Sequence, residues 1–279
     1  MSASNQSVRR SIGVAAAAVL GCVLLLVALA PLLAPYSYDR QDREAMSATA
    51  SSAHLLGTDE LGRDRLSRIL FALRVSLLAA GSATALTLIL GVLAGSAMAF
   101  SNRPVQYGFM GAGDVMMSVP WFFLLVIVRG MLPLTVSAAQ SLLLTFVLLG
   151  VLGWPITARI VAGYLRNRRD ARDLMYARAC GSSPVQAFTQ VVLPGMFSLL
   201  VAQAFILVPA YVIAEANLGI LGLGITEPMP SVGGMLHALV LGTGDHPWLE
   251  WTPLMVMVAV LGMAQQISKV GGRWATGNA

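Results

Sequence analysis

Two carboxylates stand where a carboxylate is expensive. Asp114 lies about ten residues into an apolar stretch, roughly 15 Å along a helix at 1.5 Å per residue, and an ionised group there needs a partner or water. It is a candidate for lining or gating a pathway, and equally for a structural carboxylate hydrogen-bonded inside a bundle. Glu215 sits near the end of a later apolar stretch, where solvent is expected to reach it; a structural role is the simpler expectation, pathway or gating the alternative. Other chemistry is poorly supplied. Of 18 basic residues only Lys269 is a lysine, and it precedes Val270, so the Gly-Lys-Ser/Thr that a phosphate-binding loop requires is missing. His54, His237 and His246 lack ligand spacing, there is no Gly-x-Ser-x-Gly turn, and Cys22 and Cys180 are expected as free thiols. No catalytic residue, metal site or cofactor is expected, and the chain is not read as an enzyme.

The elements that position these groups follow from composition. Hydrophobic residues make up 57% of 279 positions and charged ones 11%, the inverse of a soluble domain, so lipid is the solvent for most of the chain. Crossing about 30 Å of hydrocarbon takes around 20 apolar residues in a helix. Six runs of that kind lie near residues 12–35, 74–100, 105–130, 134–158, 195–216 and 252–270, and none alternates like a membrane strand. The fold class expected is all-α, a polytopic bundle of six transmembrane helices. Residues 1–72 form an N-terminal unit of tail, first span and following segment; residues 73–279 form a core of five spans with a cytoplasmic loop at 162–194. With the N-terminus inside, eleven basic residues fall on the cytoplasmic face against seven opposite, which favours both termini being cytoplasmic. A cleavable signal peptide ending near Ala28-Leu29-Ala30 is the weaker reading of the first run, because the apolar stretch continues through Ala34. Pro120, Pro155 and Pro209 each interrupt an apolar helix and allow kinks. Gly91 and Gly95 form a Gly-x-x-x-Gly spacing that lets another helix approach closely.

The longest cytoplasmic stretch reads as two short helices set at an angle. The first, Arg166 to Cys180, stops at Gly181. The second restarts with Ser183 as cap, Pro184 in its first position and Gln186 completing a capping box, and Pro194 marks its end. Read alone, this is either a coupling element or a basic loop lying on anionic lipid. Tyr176-Ala177-Arg178-Ala179-Cys180-Gly181-Ser182-Ser183 with Val191-Val192-Leu193-Pro194 resembles the EAA loop of ABC importer permeases: Glu-Ala-Ala, three residues, Gly, and a closing Leu-Pro. The resemblance implies that Arg172, Asp173, Met175, Tyr176, Ala177, Gly181, Leu193 and Pro194 couple the chain to an ATPase. It departs at Met175 and Tyr176, which stand where the family has Glu and the first Ala, leaving the polar anchor of that dock missing.

A second segment is closer still. His54-Leu55-Leu56-Gly57-Thr58-Asp59-Glu60-Leu61-Gly62-Arg63-Asp64-Arg65-Leu66-Ser67-Arg68 carries six charges of both signs between Asp59 and Arg68, which on its own reads as a solvated loop with weak local ion pairs. It is similar to the outer segment of dipeptide, oligopeptide and nickel permeases, and marks Gly57, Thr58, Asp59, Gly62, Arg63 and Asp64 as the motif residues. Asp114 to Pro120 resembles that family's third span and Ala214 to Gly224 the end of its fifth, so the likeness covers about residues 10–265. The best match is the second permease of a pair, with an extra N-terminal span. The family implies a type I ABC importer permease fold in a bacterial cytoplasmic (inner) membrane. It also implies a homologous sister permease, two ATP-binding subunits and an extracytoplasmic solute-binding protein as partners, beside the lipid bilayer and without nucleic acid. Peptide is the solute implied; nickel or another small solute stays open.

Two other classes compete. Tyr38-Asp39 with Gly242-Thr243-Gly244-Asp245 superficially matches intramembrane aspartyl proteases, but those need both aspartates buried within spans, whereas Asp39 lies beyond the first run and Asp245 in a polar turn. An ATP-independent channel or proton-coupled carrier would use Asp114 as its proton site.

Overall fold

A computed structural model describes residues 27–131, 136–168, 179–241 and 251–256, together with 21, 25, 175, 176, 258, 259 and 262. Among these residues there is no strand, and one isolated bridge joins Thr58 and Asp64. The helices are α1 (Ala30–Leu33), α2 (Arg65–Phe100), α3 (Arg103–Ser118), α4 (Trp121–Gly130), α5 (Ala138–Leu152), α6 (Trp154–Asn167), α7 (Pro184–Ala187), α8 (Leu193–Ile220) and α9 (Val232–Leu241). Among the described residues three stretches are long and apolar enough to cross a membrane: Arg65–Phe100, Ala138–Asn167 and Phe188–Ile220. The bent pair α3 and α4 makes a fourth if taken as one span. The expected first and sixth spans lie largely outside the described residues.

The central helix is α2, 36 residues or roughly 54 Å long. Its inward seam is built from small side chains: Ser76, Ala80, Ala83, Thr87, Gly91, Ala94 and Gly95 are all buried. Three- and four-residue spacing puts them on one face, so neighbouring backbones come close instead of being held off by long side chains. The Gly-x-x-x-Gly expectation is met by α6. A Cβ on Gly91 would lie 2.4 Å from Thr157 Cγ2, and one on Gly95 2.7 Å from both the Ala158 carbonyl and Val161 Cβ. Near mid-bundle Thr87 of α2 donates to the Gly150 carbonyl at 2.8 Å and meets the Tyr211 hydroxyl of α8 at 2.6 Å. Between α5 and α6 stands Gly153, where a Cβ would sit 2.0 Å from that hydroxyl. The two helices meet here in one continuous span, two residues before Pro155, which occupies the first turn of α6. Leu125, Phe146, Leu149, Val212 and Leu218 fill the core around this knot.

Three boundaries differ from the sequence expectation. The second span begins at Arg65 instead of residue 74, because Asp64 caps it by accepting from the Ser67 N–H at 2.8 Å. The stretch 105–130 is two helices meeting at 71°, since Pro120 has no N–H to continue the ladder. Pro194 ends nothing. A π-helical turn at Phe188–Val192 carries α7 into α8, with the Leu193 N–H reaching back to the Phe188 carbonyl, and the proline falls in the first turn of α8, where a missing N–H is harmless. Pro209 lies inside α8 without breaking it.

Candidate functional site

Two structures terminate the bundle, an elbow at the end where α2 finishes and a cap at the end where it starts. The elbow keeps the expected punctuation. Gly181 adopts φ +80°, the left-handed conformation of a helix stop. The Ser183 N–H donates to Gln186 Oε1 at 2.9 Å and the Gln186 N–H to Ser183 Oγ at 3.3 Å, a complete capping box. One side is fastened: Ala187, Val192 and Met196 pack against Ala99 of α2 and Val161 and Leu165 of α6. The other side is bare. Met175 is 59% exposed and Tyr176 70%, and Gly181, Leu193 and Pro194 are also exposed. Arg172, Asp173 and Ala177 lie outside the described residues. Sequence reasoning missed the fastened face, although Val192 and Met196, four apart, carry its signal.

The cap rules out the alternative of a wholly solvated loop for residues 54–68. His54, Thr58, Asp64, Ser67 and Arg68 are all buried. Residues 42–48 wrap across the segment. The Asp42 N–H donates to the Gly62 carbonyl at 3.0 Å, the Ser47 N–H to the Asp59 carbonyl at 2.9 Å and the Thr58 N–H to the Ala48 carbonyl at 3.0 Å. Both motif glycines are forced by this crossing. Gly57 and Gly62 have φ +68° and +73°, and a Cβ would lie 2.4 Å from the Ala48 carbonyl oxygen in one case and 1.9 Å from that of Asp42 in the other. The carboxylates then organise the interior. Asp64 accepts from the Ser67 N–H, from Ser67 Oγ at 2.7 Å and faces His54 Nδ1 at 3.0 Å. Asp59 accepts from the Leu61 and Arg63 N–H groups and from Arg63 Nε at 2.7 Å.

The cap reaches the far side of the chain through Glu227, whose carboxylate accepts from Arg63 Nη1 at 2.8 Å and Arg68 Nη2 at 2.9 Å. A cleft of about 270 Å³ opens beside this pair, between Leu61, Arg65 and Arg68 on the cap side and Met235, Ala238 and Leu239 of α9. The loop that carries Glu227 is gripped again at its start, where Arg129 of α4 donates from Nε to the Leu223 carbonyl at 2.9 Å and from Nη2 to Ser141 Oγ at 2.7 Å and to the Gly224 carbonyl.

The two carboxylates singled out first part company. Asp114 pairs with Arg159 of α6, and both side chains are exposed on the surface of this chain. Glu215 is fully buried, so the expected solvent access at its end of the span does not exist here. It accepts from Ser76 Oγ at 3.1 Å and from the Gly233 N–H at 3.1 and 3.2 Å. Among the described residues no three His, Cys, Asp or Glu side chains gather as metal ligands.

The sequence has known relatives. Residues 71–265 match the family described as binding-protein-dependent transport system inner membrane component, and residues 8–52 match the N-terminal TM domain of oligopeptide transport permease C. The oligopeptide transport system permease protein OppC of Mycobacterium tuberculosis (strain H37Rv) is 32% identical over 255 residues, covering 88% of this chain and 84% of its own. The protein of that name from Escherichia coli K12 is 30% identical over 250 residues, covering 89% and 81%. The Haemophilus influenzae one is 27% identical over 261 residues, covering 93% and 82%. An all-helical multi-pass chain with this elbow and this cap, matched over most of its length, belongs to the binding-protein-dependent inner membrane component family and is the permease subunit of an ABC importer, working in the inner membrane with an ATPase and a binding protein.

Proposed function

We propose that this permease imports small peptides, paired with a homologous sister permease over two ATP-binding subunits and beneath an extracytoplasmic solute-binding protein. The elbow end faces the cytoplasm, as do both termini, and the cap end faces outward. The observation that carries the reading is the two-sided elbow. Its inner face is locked into α2, α6 and α8, while Met175 and Tyr176 present large apolar side chains to the outside, as a segment finished by another protein does. Where the family uses a carboxylate to anchor this dock, the present chain supplies apolar contact. Arg172, Asp173, Ala177, Gly181, Leu193 and Pro194 complete the coupling element.

Motion then passes from the ATPases through the elbow into α8, whose helix continues unbroken from Leu193 to Ile220. The exposed Asp114–Arg159 pair lies on the surface that the sister subunit and the solute pathway share. Glu215 serves as a structural carboxylate. Residues 1–72 act as an N-terminal unit and 73–279 as the core, joined through α2. The peptide assignment is supported by what the relatives are called, since the apolar spans of this chain offer few groups to read a solute from.

The test is isolation of the intact complex, with mass spectrometry of its subunits and of the solute its binding protein retains. Gly181→Trp places a bulky residue at φ +80° on the exposed elbow and is expected to abolish ATP-coupled uptake while leaving the chain inserted and folded. Normal uptake by that variant, or solute flux through the lone chain in liposomes, refutes the coupling model.

A further inference from the structure

Helix α9 is ten residues long, about 15 Å or half a bilayer, and its first two residues are buried. The leading N–H groups of a helix have no partner within it, and in an apolar setting each must find one elsewhere. Three separate elements supply them. The Val232 N–H donates to Ser76 Oγ of α2 at 3.1 Å, the Gly233 N–H to the Glu215 carboxylate of α8, and the Gly234 N–H to Ser231 Oγ at 3.0 Å. Ser76 in turn donates to Glu215, so one buried serine and one buried carboxylate form a single joint. Backbones touch beside it. A Cβ on Gly219 would lie 2.2 Å from the Gly233 carbonyl carbon, and one on Gly233 2.6 Å from Glu215 Oε1.

The opposite attachment of this region is different in kind. Glu227 holds the preceding loop to Arg63 and Arg68, but its side chain is 61% exposed, so water and salt weaken those pairs. Of the two attachments the buried joint is therefore the firmer one. We propose that Glu215 is a positioning residue for transport: with Ser76 it fixes α9 to α8, so that displacement of the elbow becomes movement of α9 against the cap at the cleft they share. This inference rests on the permease reading above, because it needs an ATPase to move the elbow.

Ala238 is exposed, lines that cleft and reports on it. Ala238→Cys, in a chain whose Cys22 and Cys180 are changed to serine, is labelled with a membrane-impermeant maleimide in the complete complex in nanodiscs, without nucleotide and trapped with ATP and vanadate. The labelling rate is expected to differ about tenfold between the two states. Adding Ser76→Ala or Glu215→Ala removes the nucleotide response, and lowers uptake in proteoliposomes about tenfold while ATP hydrolysis continues. Glu215→Gln restores both, since its amide oxygen still accepts from Gly233 and its amide nitrogen can donate to Ser76.

A transporting, ATP-hydrolysing complex whose Ala238→Cys labelling ignores nucleotide overturns the proposal. So does Ser76→Ala retaining the full response, a result that decides the matter even where Glu215→Ala does not assemble. A complex that neither hydrolyses ATP nor transports with wild-type Glu215 and Ser76 overturns the permease reading instead, so the two failures are distinct.

Discussion

The cap and the elbow are both short polar segments at opposite ends of the same helices, yet the cap is closed on itself and the elbow is open. In the cap, backbone groups of residues 42–48 satisfy those of residues 57–62, and Asp64 is saturated by Ser67 and His54. Polar groups that are paired with one another on burial let such a segment hold its shape by itself. The elbow places apolar residues on both sides, Val192 and Met196 inward and Met175 and Tyr176 outward, and its outward half is exposed. Damage to the cap should therefore appear as lost stability, and damage to the elbow as lost coupling in a chain that is still well folded.

The largest effect that would sharpen this contrast is expected from Gly62→Val. A β-branched residue at φ +73° with its Cβ driven into the Asp42 carbonyl has no relaxed alternative, and a destabilisation of about 3 kcal/mol is expected. The folded permease should be nearly absent from membranes when its yield is measured by size-exclusion chromatography. Asp64→Ala follows, leaving Ser67 and His54 without their buried acceptor at a cost of about 2 kcal/mol; a lowered melting temperature of the purified complex checks it. Tyr176→Ala should do the reverse, reducing ATP-coupled uptake about tenfold with melting unchanged. If it lowers melting and spares uptake, the contrast between the two ends is broken. Smallest is Glu227→Gln, which weakens exposed pairs worth less than about 1 kcal/mol and should shift melting only at low salt.

Much of this was legible in the sequence where the cause is local. Gly181 as a stop, the Ser183 and Gln186 box and the Gly91 and Gly95 notch each depend on residues a few positions apart, and each took its expected form. The π turn before Pro194 was not legible, because a proline after an apolar run marks the end of one helix and the first turn of another equally well. The closed form of the cap is not legible for a different reason. Its charges are of mixed sign, as in a solvated loop, and only the crossing of residues 42–48 over Gly57 and Gly62 closes the segment on itself and buries Asp64. Glu215 was misplaced likewise, since its burial comes from Ser76, 139 positions away, and from Gly233. Asp114 needs a partner, and the sequence does not reveal Arg159 in that role, because it lies 45 positions away and just past the expected end of a span at residue 158 that continues to Asn167.

The length of α2 has one more consequence. A rod of roughly 54 Å in a hydrocarbon layer of about 30 Å extends beyond it by some 24 Å. The cap and the elbow are therefore tied to the two ends of a spacer that the lipid does not set. A membrane that thins or thickens by a few ångströms slides along this spacer and leaves the separation between the two ends unchanged.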